Sequence, residues 1–390
     1  MEFTVSKADL VRELNLSQGV VEKKTTIPIL SNVLIEAEGD SLTLTATDLE
    51  LGIRCSTPAK VKSSGAGTIP AKKLLDYVRL LPDSDVQIKV SDSHWASLVC
   101  GRSKSRIAGM SRDSYPELPE MPEAMAQIPI GLLASMIGKT IFAISAEESR
   151  FTLNGALLQL KDKSVSMVAT DGHRLAMIEA ENTLAGGEVN YKALLPRKAM
   201  AEILKFASDS DDKEAAVEFS GDDNHLFFRL GARLLMSRKL TGNFPDFERV
   251  LPKSHAHAVT MNRDELRGSI ERVSQFADER SRAIKLRFSD NEATVHSSLS
   301  ESGESEDSIP VEYVGPTVEI GFNAHYLLDF LRAAPESEVA FHFKDGQSAG
   351  EHEDRHREGQ HENADGRDAR EHPAEQRRRA VRIRASVLTS

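Results

Sequence analysis

Apolar residues four apart mark one helix three times along this 390-residue chain. Leu74 and Val78, Met200 and Leu204, and Leu327 and Leu331 lie in segments opening at Pro70, Pro196 and Asn323, so the recurrence is 126 and then 127 residues. Each copy follows a short apolar segment and runs into an acidic turn and another apolar segment, the pattern of an amphipathic helix set among strands. A strand recurs as well: residues 42–48 (LTLTATD) return at 165–171 (VSMVATD), 123 residues later. A period near 125 residues is too long for a solenoid unit and fits a whole domain.

Within the first copy, a strand over 3–5 precedes a helix over 7–21, with Ser6 as its cap. Alternating segments at 33–37, 41–47 and 51–55 predict an antiparallel meander. After the recurring helix, 86–90, 95–99 and 105–110 predict a second one, and 115–122 (YPELPEMP) a stiff linker. Each repeat is thus strand, helix, three strands, then the same again. The second copy opens near Ile128 with a helix over 131–143; the third opens at Val259, with 293–298 as its counterpart of 42–48. The expected architecture is α+β, in three tandem similar domains over 1–124, 125–252 and 253–345. From about Gly346 the composition changes. Residues 351–390 hold nine Arg, no Lys, nine Asp or Glu, four His and no aromatic residue, which predicts a disordered tail or the product of a shifted reading frame over 346–390. Residues 377–384 (RRRAVRIR) read as a solvated run or as a nucleic-acid patch.

An apolar fraction of 40% is enough for three cores. No apolar run approaches the ~20 residues of a membrane span, and the N-terminus lacks the basic start and apolar block of a secretory signal, so the expected location is cytoplasmic. Cys55 and Cys100 supply neither a disulfide framework nor a zinc set and are expected to be buried thiols. The formal charge of −11 argues against a nucleic-acid partner unless Lys and Arg are gathered locally.

Local gathering is present. Lys72 and Lys73 open the recurring helix, as Arg197 and Lys198 do in the second copy, although the helix dipole favours acids there. A solvated face and a contact with phosphate both fit. Thr170-Asp-Gly-His-Arg-Leu175 is the densest polar cluster. It reads as an Asp-Gly turn between strands, or as an acid–base site using His173 with Asp171 and Arg174. No serine elbow, HExxH, P-loop or GxGxxG motif accompanies it, so no catalytic residue, metal ligand or cofactor is assigned. The apolar residues of 243–252 (NFPDFERVLP) lie in a loop, either plugging a core edge or walling a groove for a partner's peptide.

The segments 170–175 (TDGHRL), 242–252 (GNFPDFERVLP), 26–34 (TIPILSNVL) and 151–155 (FTLNG) together resemble the bacterial sliding clamp family, the beta subunit of DNA polymerase III, over about residues 1 to 345. That resemblance implies three similar domains per chain and two chains closing head to tail into a ring, helices lining the hole. It implies a non-enzymatic processivity factor on double-stranded DNA of any sequence, with the replicative polymerase, the clamp loader and other clamp-binding-peptide proteins as partners. By matching position, the peptide pocket takes in Leu153, Thr170, Gly172, His173, Arg174, Leu175, Pro245, Arg249, Val250 and Tyr326. The DNA-facing positions are Lys24, Lys72, Lys73, Arg197 and Lys198, with Arg150 and Phe151 nearby. The homodimer contact pairs Ile107 with Gln275 and Phe276. The family ends in a strand that completes the third sheet and walls the pocket. The Arg-rich tail standing there implies an unpaired sheet edge, a weakened ring contact and an incomplete pocket. The alternative is a monomeric peptide-binding module or a defective clamp.

Overall fold

The structure, a computed structural model, describes residues 1–21, 26–161, 164–181, 190–251, 256–299, 303–344, 350–354 and 381–387. Among these, helices recur in pairs: α1 (Lys7–Val20) with α2 (Ala71–Arg79), α3 (Ile130–Gly138) with α4 (Arg197–Asp209), and α5 (Arg263–Val273) with α6 (Ala324–Ala333). Each pair is threaded in the predicted order, with one extra short strand, Lys60–Ser63, in the first repeat. Side chains of Ser6, Asn262 and Asn323 accept first-turn N–H groups of α1, α5 and α6. Pro70 and Pro196 precede α2 and α4, which have no side-chain cap. Helix α3 stops short of the predicted 131–143. The Thr140 hydroxyl donates to the Met136 carbonyl at 2.8 Å, and Ile141–Ala143 tightens into a 3-10 turn.

The chain divides into two compact units, one chiefly Met1–Ala134 and Leu195–Lys239, the other chiefly Ser135–Thr183 and the residues from Leu240 onward. In the first unit, an eight-stranded antiparallel sheet consists of two four-stranded halves, one from each of the first two repeats. They join where Arg233–Arg238 pairs with Leu51–Pro58, Arg233 opposite Cys55 and Ser237 opposite Leu51. A five-stranded sheet in this unit ends on the edge strand Ser103–Ala108. Helix α1 packs against α2 and α4. Its Glu13, 2% exposed, accepts from Arg233 at 2.8 and 3.0 Å and from Arg12 at 2.9 Å. Arg233 also pairs with Asp209 of α4. Burial pushes the Glu13 carboxyl up, but the hydrogen bonds from Arg233 and Arg12 outweigh it and hold the group below its ordinary range. Cys55 and Cys100 are buried and free, and burial raises the Cys55 thiol well above its usual value.

The second unit repeats the plan. Its eight-stranded sheet joins halves of the second and third repeats where Arg174–Glu181 pairs with Val381–Val387, Arg174 opposite Val387 and Ala180 opposite Val381. A four-stranded sheet ends on the edge strand Gly303–Pro310. Phe288, Phe341 and Phe343 cluster at 5.1–5.5 Å between ring centres in the core of the third repeat.

The strand Val381–Val387 corrects an expectation. Composition predicts no structure after Gly346, and the resemblance to the family then implies an unpaired edge on the third sheet. Instead Gly350–Asp354 and Val381–Val387 pair with each other and give the third repeat its last two strands. The physical reason lies in the period. Val381, Ile383, Ala385 and Val387 alternate with Arg382, Arg384 and Ser386, which suits a strand, and the edge of Arg174–Glu181 provides the main-chain partners that composition does not register. The sheet that was expected to lack its final strand therefore has one. Residues 346–349, 355–380 and 388–390 of the predicted tail lie outside the described residues.

Candidate functional site

The second unit holds the turn 170–175. Between the strands Ser164–Thr170 and Arg174–Glu181, the Thr170 hydroxyl accepts from the Gly172 N–H at 3.0 Å and donates to the Arg174 carbonyl at 2.6 Å. Asp171 Oδ1 accepts the N–H groups of His173 and Arg174 at 2.9 and 3.0 Å. Gly172 has φ +90°, a conformation that favours glycine, and a Cβ there would meet Arg150 Nη1 at 3.0 Å. His173 is exposed, and Asp171 engages Arg174 rather than the imidazole. The acid–base reading therefore lacks its dyad.

Arg174 is the hub of this site. Its Nε donates to Asp171 Oδ2 at 3.0 Å, Nη1 to Asp329 Oδ2 at 2.8 Å and Nη2 to the Phe142 carbonyl at 2.6 Å. The guanidinium lies 4.5 Å from the Tyr326 ring centre and 5.5 Å from that of Phe142. A side chain held from this many directions positions its neighbours. Burial and the Asp171 carboxylate raise the Tyr326 phenol, against the opposing pull of Arg174.

Beside the turn, Val168, Leu175 and Phe247 are buried together, with partly exposed Leu157, Met177, Phe244 and Leu251 packed against them. Phe244 and Phe247 meet edge to face at 6.4 Å. Leu175 is thus floor. Val250, 41% exposed, and Tyr326, half-buried, present apolar surface. Leu153 is half-buried on a 3-10 turn whose N-cap residue, Arg150, donates to the Asp171 carbonyl at 2.8 Å. Pro245 and Arg249 are exposed, with Arg249 paired to Asp246 at 2.7 Å. Reading the sequence misses Phe142, Leu157, Met177, Phe244, Leu251 and Asp329. Phe244 stands inside the loop 243–252 and was within reach of that reasoning, whereas Asp329 is 155 residues from Arg174 and carries no local signal.

Of the basic positions, Lys72, Lys73, Arg197 and Lys198 are exposed in the first turns of α2 and α4, both in the first unit. Lys72 pairs with Asp76, and Lys198 with the buried carboxylate of Asp48. In the second unit, Arg150 pairs with Glu147 at 2.9 Å and Phe151 is 71% exposed. Lys24 lies outside the described residues. Ile107 is 2% exposed, and the edge strand carrying it presents its main chain and the exposed Lys104 and Arg106. Gln275 and Phe276 are exposed on a 3-10 turn packed against Gly303–Pro310.

Models of the N-terminal, central and C-terminal domains of the DNA polymerase III beta subunit match residues 1–119, 127–246 and 248–360. The beta sliding clamp of Chlamydia pneumoniae is 34% identical over 351 residues, 90% of this chain and 94% of that protein. That of Pseudomonas aeruginosa is 33% identical over 352 residues, covering 90% and 95%. The solved DNA polymerase III beta subunit of Pseudomonas aeruginosa superposes with a TM-score of 0.87 at 30% identity over 100% of both chains. The Bacillus subtilis DNA polymerase sliding clamp does so with 0.88 at 26% identity, over 100% and 99%.

Proposed function

The chain belongs to the beta sliding clamp family, the beta subunit of bacterial DNA polymerase III, and we propose that two copies close head to tail into a ring around duplex DNA. It is a DNA polymerase processivity factor. One observation carries the ring: both joints between repeats use the same pair of edges. Arg233–Arg238 ends the second repeat and pairs with Leu51–Pro58 of the first, and Val381–Val387 ends the third and pairs with Arg174–Glu181 of the second. The corresponding strands left at sheet edges are Ser103–Ala108 and Gly303–Pro310. Carrying over the register of the first joint sets Lys104 opposite Glu306 and Arg106 opposite Glu304. Opposite charges across a pair of strands favour that pairing and disfavour others.

Such a ring holds DNA by enclosure. Lys72, Lys73, Arg197 and Lys198 would meet phosphates without reading bases, and an acidic body of net charge −11 would keep DNA off its outer surface. The apolar surface around Phe244, Val250, Leu251 and Tyr326 would take short apolar peptides of the polymerase, the clamp loader and other partners, so a modest affinity is multiplied by local concentration. The scaffold then carries out no chemical step. Among the described residues no helix is long and apolar enough to cross a membrane. Retention on nicked circular DNA, lost when the circle is cut, tests the reading. Equal retention on circles and on linear DNA with free ends refutes it, as does one chain per particle in light scattering.

A further inference from the structure

The joint between the first and second repeats, within the first unit, has the same construction as the apolar site of the second unit and a different chemistry. The cross-strand set Leu157, Val168, Met177 has its counterpart in Leu34, Thr45, Arg54, with each residue opposite the next in the same register. Tyr115-Pro116 stands where Phe244-Pro245 stands in the second linker. The Tyr115 hydroxyl donates to the Thr45 carbonyl at 3.0 Å and fixes the linker against the sheet. Between sheet and linker lies a cavity of about 700 Å³.

Its lining is charged above an apolar floor of Leu34, Tyr115, Pro116 and Leu118. Arg112 pairs with Glu36 at 3.0 Å and Arg54 with Glu120 at 3.2 Å, which leaves the exposed carboxylates of Asp113 and Glu117 in excess around the rim. Asp113 accepts from the Ser111 hydroxyl at 3.0 Å. One polar group in the wall is also unsatisfied: the Thr45 hydroxyl is buried, 3% exposed as a residue, with no hydrogen-bond partner. Buried polar groups are ordinarily partnered, so an orphan lining a cavity points to a ligand that completes it.

We propose that this cavity is a second peptide-docking site, taking a partner segment in which an aliphatic side chain is flanked by lysine or arginine. The aliphatic group would lie on Leu34, Tyr115 and Leu118, the cations against Asp113 and Glu117, and a main-chain group would meet Thr45. The comparison rests on reading the second unit's apolar surface as a peptide site. The two joints of one chain would then hold partners of opposite chemical character at once, without competition.

Fluorescence anisotropy with two labelled probes tests it on the full chain: a hexapeptide alternating lysine and leucine, and a leucine- and phenylalanine-rich pentapeptide. The basic probe is expected to bind saturably at one per chain. D113N/E117Q should weaken it about tenfold, roughly the weight of one charge-assisted hydrogen bond, and T45V about threefold on the same scale. Both variants should bind the apolar probe as the parent does. Unsaturable binding of the basic probe, or binding unchanged by D113N/E117Q, overturns the proposal. Failure of the apolar probe alone on the unsubstituted chain overturns the reading of the second unit instead.

Discussion

Removing the carboxylate of Asp329 should weaken partner peptides although that group is not itself part of the apolar surface. Arg174 sits 12% exposed between Asp171 at 3.0 Å and Asp329 at 2.8 Å, with Tyr326 and Phe142 on its faces. Asp171 keeps two main-chain donors whatever happens to Arg174, so it is not orphaned by either substitution. D329A removes one charge-assisted bond, worth about 1.5–3 kcal/mol when buried and nearer 1–2 here, because the Asp329 side chain is 33% exposed. R174A removes three donors and two ring contacts of about 0.5–2 kcal/mol each, for a loss of at least about 4 kcal/mol of stability in the second unit. If Arg174 holds the Tyr326 ring in place, D329A should weaken the apolar pentapeptide about tenfold and R174A more, with R174K between them, since ammonium cannot bridge both carboxylates. Anisotropy titration beside thermal unfolding reads both quantities. An affinity unchanged by D329A and abolished by R174A would sink the argument, because Arg174 would then touch the peptide directly.

Reversing Lys104 and Arg106 to glutamate should yield single chains in light scattering, and E304K/E306K in the same chain should restore the dimer; a dimer untouched by the first pair excludes the proposed edge. R233A leaves buried Glu13 with Arg12 alone and should cost about 3–5 kcal/mol by urea unfolding, and a loss under about 1 kcal/mol contradicts the buried pair. Glu13 titrates below its ordinary value of 4.5 in the folded chain, so its contribution is intact above that pH and lost as the pH falls through the lower folded value. E13Q should flatten that part of the acid-unfolding curve. Ending the chain after Lys344 removes both tail strands and the three ladders they make and, at about 0.5–1.5 kcal/mol for each main-chain bond lost, should destabilise the second unit by several kcal/mol; unfolding indistinguishable from the full chain would mean the joint contributes nothing.

The repeat was legible because its helices carry apolar residues at fixed spacing and because Thr-Asp closes the same strand twice, at Asp48 and Asp171. The loop 243–252 was legible as apolar in the wrong place for a strand or helix. Three things were not. The pairing of Lys198 with Asp48 and of Arg174 with Asp329 depends on side chains 150 and 155 residues apart, and no local pattern encodes such a meeting. The burial of Ile107 was not legible, because matching position does not say which face of a strand a side chain takes. Val381–Val387 was hidden by its surroundings: an alternating heptad is a weak signal inside forty residues dominated by charge, and its stability comes from the edge it meets.

The joint between repeats is a contact of unlike surfaces, the closing strand of one on a different edge strand of its neighbour, and such a contact has no stopping rule of its own. The turn made at each step decides between a closed figure and an endless filament. In the proposed circle of six repeats, the number of repeats written into one gene is then a free variable. Pairs of repeats would assemble as trimers and sixfold chains would close alone, with every edge residue unchanged, so stoichiometry can shift by duplication or fission without any contact being reinvented.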